Sequence, residues 1–249
     1  MAEVANDSAN PDIRLLRGIN DLARHAPRGV DRTAEILGEY GLMVLLAAVA
    51  AWAWWRVARR SADAPAAVAG VLWAVVAAGV TLLLSVPVRA LVARPRPYEE
   101  HEGLAVLVRG HGFSFVSDRC AVAGAVAVAL FLVSRKLGAL AVLLAAAEGF
   151  TAVYLGLHYP TDVMGGFALG AATTLLLAPP ALAVLTAATG ALARSRWSVL
   201  VRARVPSGAR AGGTREQAQA QAQEQAQAQP GGPQPAAPRH SAADKDLAA

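Results

Sequence analysis

The chain has 249 residues, 55% of them hydrophobic, 6% aromatic and 16% charged. Soluble domains carry about 25% charged residues, so this balance excludes an ordinary cytosolic globule, and a single cysteine, Cys120, excludes an internal disulfide framework or a cysteine-built metal cluster. The formal charge of +5 comes from 23 basic residues, of which Lys136 and Lys245 are the two lysines; they stand between apolar runs, which argues for membrane flanks or phosphate binding over nucleic acid.

Residues 1–11 read as a polar N-terminus, without the apolar stretch of a secretory signal. Asn10-Pro11-Asp12 marks a helix start, with asparagine as cap and proline at the first helical position. Ile13, Leu16, Ile19 and Ala23 share one face of that helix, which predicts either an interfacial helix or a cap packed on the rest of the protein. Apolar runs then cover residues 40–55, 64–88, 120–134, 137–157 (interrupted only by Glu148) and 163–193. About 20 apolar residues cross a bilayer as a helix, and a helix satisfies its own backbone groups in lipid. The expected fold over residues 12–193 is therefore all-α, a polytopic membrane helix bundle of about five transmembrane helices plus the N-terminal interfacial helix. The run 120–134 is short for a span and is expected to begin before Cys120, inside a recess. Pro179 and Pro180 are expected to end or kink the last helix. Residues 194–249 are basic and then low in complexity (QAQAQAQEQAQAQPGGPQPAAP), as in a disordered tail.

Basic clusters set the orientation. Arg56, Arg59 and Arg60, then Arg135 and Lys136, then Arg194, Arg196, Arg202 and Arg204 fall on one side of a five-span bundle. That side is expected to be the cytoplasmic face of a bacterial-type plasma membrane, with the tail inside. Segments 89–119 and 158–162 then share the outer face, although the first holds five arginines against the rule. A phosphate ligand would account for them.

Three polar groups come to that face: RALVARPRP (89–97), GFSFVSDRC (112–120) and TAVYLGLHYPTD (151–162). Arginine offers a planar fork of donors that matches phosphate oxygens. Ser117 and the backbone N–H groups of a helix entrance add anion contacts. His158 and Asp162 are four residues apart and meet if a helical turn links them. A carboxylate on one imidazole nitrogen fixes the tautomer and leaves the other nucleophilic; the alternative is a purely structural hydrogen bond. Glu148 lies one turn before Ala152, and its expected partner is Arg119 or, alternatively, a neighbouring helix.

These motifs resemble the type-2 phosphatidic acid phosphatase and vanadium haloperoxidase superfamily, whose signatures are K-x6-R-P, P-S-G-H and S-R-x5-H-x3-D. Arg89 stands at the lysine position, Arg96-Pro97 matches R-P, Ser117 matches the second-motif serine, and His158 and Asp162 match the third motif. RPRPY, LGLHYPTDV and Asp118 are most similar to bacterial undecaprenyl-diphosphate phosphatases, and the resemblance spans about residues 12–190. It implies a membrane lipid phosphatase without metal or cofactor, acting on a lipid phosphate or diphosphate in the bilayer. His158 would attack phosphorus and form a phosphohistidine with Asp162 in support, while Arg89, Arg96, Ser117, Asp118 and Arg119 bind the substrate. Val116 replaces the proline of the second motif, and Thr151-Ala152 replaces S-R of the third. Arg119 replaces the histidine that in the family protonates the leaving group, and arginine has no proton to give near neutral pH. Two expectations follow: a weakened phosphatase favouring a diphosphate, whose leaving group is the less basic phosphate, or an inactive pseudophosphatase that binds lipid phosphates or partner membrane proteins. A transporter would need polar residues along several spans, and only Glu148 offers one.

Overall fold

A computed structural model describes residues 10–60 and 64–193. Residues 1–9, the basic cluster from Arg194 to Arg204 and the expected tail lie outside the described residues. The described chain is helical, with no strand among the described residues: α1 Pro11–His25, α2 Arg28–Ile36, a π-turn Leu37–Gly41, α3 Leu42–Arg60, α4 Ala64–Val92, α5 Pro97–Glu100, α6 Asp118–Val133, α7 Arg135–Tyr154 and α8 Pro160–Ala193.

Among the described residues four stretches are long and apolar enough to cross a membrane: Arg28–Arg56, Pro65–Glu100, Arg135–Tyr154 and Pro160–Ala193. The fifth expected span is α6, whose 16 residues extend about 24 Å against a hydrocarbon thickness of about 30 Å. α6 is nonetheless the centre of the bundle, packed by α4, α7 and α8. Its sequence suits that place, because it is mostly alanine and valine and nine of its residues are buried. Large apolar side chains such as Leu83, Leu143 and Leu176 point outward and are exposed, as lipid-facing residues are. The chain thus has the character of a membrane protein.

The α6–α8 contact is made by missing side chains. A Cβ at Gly170 would stand 2.1 Å from the Ala121 carbonyl oxygen, and one at Gly166 would stand 2.7 Å from that of Ser117. Without them the two backbones touch, as small residues permit between membrane helices. This approach brings the start of α6 against the start of α8, where the Ser117 N–H donates to the Asp162 carbonyl at 3.3 Å.

Pro179 and Pro180 do not end α8, which continues through both to Ala193. Each removes one N–H donor, but unwinding within an apolar bundle would leave many more backbone groups without partners.

At the N-terminus, the Asn10 side chain accepts from the Asp12 N–H at 3.0 Å, and α1 buries Ile13, Leu16 and Ala23 against α7 and α8. Of the two expected forms, α1 takes the packed cap. Asn20, buried on the same face, donates from Nδ2 to the carbonyls of Ala105 and Tyr154 at 2.9 and 3.0 Å, and its Oδ1 accepts from the Ala105 N–H at 2.7 Å. It thereby ties the loop before α6 to the end of α7.

Candidate active site

The segment after α4, the entrance of α6 and the α7–α8 turn meet at one end of the bundle around a cavity of about 310 Å³. Arg89, Arg96, Ser117, Asp118, Arg119 and His158 line it. Asp162, the seventh expected residue, is fully buried beside His158 and does not line the cavity.

His158 follows a sharp stop of α7. The Leu155 N–H donates to the Thr151 carbonyl at 2.9 Å and the Gly156 N–H to that of Val153 at 3.0 Å. Gly156 is left-handed, with φ +73°, a conformation that costs glycine nothing. The imidazole is then oriented by the loop before α6, since His158 Nδ1 lies 2.8 Å from the Ser114 carbonyl oxygen. A carbonyl only accepts, so Nδ1 carries the hydrogen and Nε2 presents its lone pair. Burial, then the Arg96 charge, lower the His158 pKa to about 3, which leaves the ring neutral and unprotonated at neutral pH.

The expected direct bond from His158 to Asp162 is not what orients the ring. His158 Nδ1 and Asp162 Oδ2 are 4.0 Å apart, and Ser114 bonds to both residues, its carbonyl on the imidazole and its Oγ donating to Asp162 Oδ2. Asp162 occupies the third position of α8 and accepts from the Tyr159 N–H at 3.1 Å, the return bond of a helix-start capping arrangement. Its other oxygen takes Arg94 Nη1 at 2.8 Å.

Arg94 and Ser114 were not among the expected site residues. Arg94 Nη2 reaches Asp12 Oδ2 at 3.0 Å, its Nη1 also meets Thr161 Oγ1 at 2.8 Å, and its guanidinium lies 3.6 Å from the Tyr159 ring centroid. Asp12 in turn accepts from the Thr161 N–H and Oγ1 at 3.0 and 2.6 Å. The start of α1 is therefore bound to the start of α8 both directly, through Asp12 and Thr161, and through Arg94. The sequence signal was the doubled Arg-Pro of RPRP, of which only Arg96 fits a motif position.

The remaining arginines differ in how they are held. Arg96 is 6% exposed and donates through Nε, Nη1 and Nη2 to the carbonyls of Gly112, Leu157 and His111 at 3.0, 3.1 and 2.9 Å. That uses three of five guanidinium hydrogens, so Arg96 clamps the loop to the α7–α8 turn and keeps two donors. Arg89 forms an ion pair with Asp118, whose Oδ1 lies 2.7 Å from the Ser85 hydroxyl. The Asp118 carboxylate thus serves Arg89 rather than facing the cavity unpartnered. Arg119 Nη1 donates to the Gly38 carbonyl in the π-turn, where the widened i→i+5 pattern is common at functional sites. Gly38 packs so closely on α7 that a Cβ would stand 3.0 Å from Leu155 Cδ1.

Two cavity groups lack partners: Ser117 Oγ and Glu148 Oε2 are buried and make no hydrogen bond. Glu148 is 2% exposed and lines the cavity beside Ala152. Among the described residues no three His, Cys, Asp or Glu side chains come together to hold a metal.

The PAP2 superfamily pattern matches residues 68–180. The chain is 31% identical over 163 residues to the putative undecaprenyl-diphosphatase YbjG of Escherichia coli, covering 65% of this chain and 78% of that protein. Over 92 residues it is 30% identical to the undecaprenyl-diphosphatase BcrC of Bacillus subtilis, covering 35% of this chain and 48% of that one. The crystal structure of a transmembrane PAP2 type phosphatidylglycerolphosphate phosphatase from Bacillus subtilis superposes with a TM-score of 0.50 at 24% identity, covering 71% of this chain and 90% of that one.

Proposed function

Because the chain belongs to the PAP2 superfamily, we propose that it is an integral-membrane lipid phosphatase that hydrolyses a prenyl diphosphate, of undecaprenyl type, through a phosphohistidine on His158. The observation that carries this reading is the cavity itself. It gathers a neutral imidazole with a free Nε2, the guanidinium groups of Arg89, Arg96 and Arg119, and an unpartnered Ser117 hydroxyl at the N-terminus of α6. Helix N-termini favour anions, and phosphoryl transfer depends mainly on positioning and charge stabilisation.

His158 Nε2 attacks the terminal phosphorus; Asp162 and Ser114 hold the ring behind it. Arg89, oriented by Asp118, the two free donors of Arg96, the Ser117 hydroxyl and Arg119 bind the phosphoryl oxygens. The diphosphate is favoured because its leaving group is a phosphate, far less basic than a lipid alkoxide, and the cations around it stabilise its departure. The cavity face lies outside the plasma membrane and the tail in the cytoplasm, as the basic clusters at Arg56 and at Arg135-Lys136 indicate.

The test is phosphate release by purified protein from prenyl diphosphate, phosphatidic acid and phosphatidylglycerol phosphate, with acid-labile phosphate trapped on His158. Turnover of the diphosphate and a trapped phosphohistidine that disappears in His158→Gln are expected. Absence of both would favour the pseudophosphatase, the reading that Arg119 and Ala152 support.

A further inference from the structure

We propose that Glu148 is the acid and base of the reaction, giving the leaving group its proton and later taking one from water. The proposal rests on the phosphatase reading above and deepens it. The cavity holds a nucleophile and several cations that ease the departure of a phosphate, and a group that moves a proton would speed both that departure and the later attack by water. Arginine does not supply a proton. Asp118 is bound to Arg89, Asp162 is enclosed outside the cavity by Ser114, Tyr159 and Arg94, and Glu39, which also lines the cavity, is partly exposed and accepts from the Tyr40 hydroxyl. Glu148 is 2% exposed, lines the same cavity as His158 and has an oxygen that no donor reaches. An enclosed carboxyl without a partner is costly to a fold, and one that borders a cavity lined by arginines is placed to meet a ligand.

Arg119 is not in hydrogen-bonded contact with Glu148, although its charge is near enough to act on the carboxyl. Its guanidinium donates instead to the Gly38 carbonyl, which holds it on the neighbouring wall, and no ion pair joins it to Glu148 among the described residues.

The chemistry balances as follows. His158 Nε2 forms a bond to the terminal phosphorus while the bridging P–O bond breaks. The bridging oxygen takes the Glu148 proton and departs on the lipid monophosphate. Water then attacks the phosphohistidine, the P–N bond returns its electron pair to Nε2, and the proton released by water passes to the Glu148 carboxylate. Phosphate leaves and the acid is restored.

An acid matters in proportion to the basicity of the leaving group, which gives a readout that packing alone would not move. Glu148→Gln is compared with the natural protein on prenyl diphosphate and on p-nitrophenyl phosphate, whose leaving group departs without a proton. Read as the single-turnover rate of His158 phosphorylation, before water enters, the expected result is a loss of about 100-fold on the diphosphate, the lower end for general acid catalysis, and less than threefold on p-nitrophenyl phosphate. Arg119→His in the Glu148→Gln background, which offers a proton from the adjacent wall, is expected to restore at least tenfold on the diphosphate. Equal losses of the phosphorylation rate on both substrates, or none, overturn the assignment. His111 also lines the cavity, and a substrate-selective loss in His111→Gln would overturn it in favour of that side chain. Failure of the natural protein to release phosphate from either substrate overturns the phosphatase reading itself, and this proposal with it.

Discussion

Replacing Arg94 by methionine tests whether the arginine bridge holds the buried end of the site together. In the natural protein Asp162 is fully buried and has three donors: Ser114 Oγ, the Tyr159 N–H and Arg94 Nη1. Methionine keeps much of the packing over Tyr159 and removes the only cation. Breaking a buried ion pair by removing one partner costs about 3–5 kcal/mol. The Arg94 side chain is 27% exposed, so the lower end, about 3 kcal/mol, applies. For a domain of this size each kcal/mol moves Tm by about 2–4 °C, giving a decrease of about 6–12 °C in detergent. Asp12→Asn alone weakens charge-assisted bonds to Arg94 and Thr161 and costs about 1–2 kcal/mol. Because both residues belong to one bridge, the double variant should lose less than the sum. If Arg94→Met melts within 2 °C of the natural protein, or if the two losses add fully, the bridge is not what secures Asp162 and α1.

Other expected outcomes address the packing, the cation lining and the nucleophile. Gly170→Ala places a Cβ 2.1 Å from the Ala121 carbonyl and should destabilise by about 3 kcal/mol or more, whereas Gly79→Ala meets nothing within 4 Å and should be neutral or slightly stabilising; thermal melts in detergent separate the two. Arg89→Met removes a cation from the cavity and should weaken inhibition by inorganic phosphate about tenfold or more, measured by titration against turnover. For His158 the folded pKa of about 3 lies below the ordinary value of about 6.5. The fold therefore favours the neutral ring. That contribution is complete above about pH 6.5 and is lost as pH falls toward 3. Histidine ¹⁵N NMR should find His158 neutral, with hydrogen on Nδ1, down to about pH 5; a midpoint above 6 would refute the enclosed, carbonyl-bound geometry.

The membrane bundle was legible because hydropathy and helix length are local properties of a sequence. The α1 start was legible for a similar reason: Asn10, Pro11 and Asp12 act within one turn. The short α6 was anticipated from its length, although its place at the centre depends on Gly166 and Gly170 meeting α6 backbone across 45 or more residues of chain. Six of the seven expected residues line one cavity because motif spacing tracks which loops share a face. What the spacing did not carry was the partner of each group. A four-residue separation suggested that His158 would bond Asp162, but α8 starts at Pro160, so no helical turn joins them and Ser114 bonds to both. The π-turn at residues 37–41 was equally hidden, because widening one helical turn leaves no periodicity signal.

The partners also explain how an apolar bundle keeps positive charge available to a ligand. Arg89 is paired with Asp118, and Arg94, outside the cavity, with Asp12 and Asp162. Arg96 and Arg119 are held otherwise, by carbonyl oxygens of Gly112, Leu157 and His111 and of Gly38. A carbonyl satisfies an N–H and fixes the guanidinium plane, yet it carries no formal charge, so among the described residues no ion-paired carboxylate occupies these donors. Had aspartates occupied those places, the bonds would be stronger and the cavity electrically closed. Around the cavity the fold thus combines one arginine oriented by a carboxylate, Arg89, with two held by carbonyls, Arg96 and Arg119. A bound phosphate would then complete the charge balance that the bundle leaves open, in a low-dielectric setting where such attraction is strong.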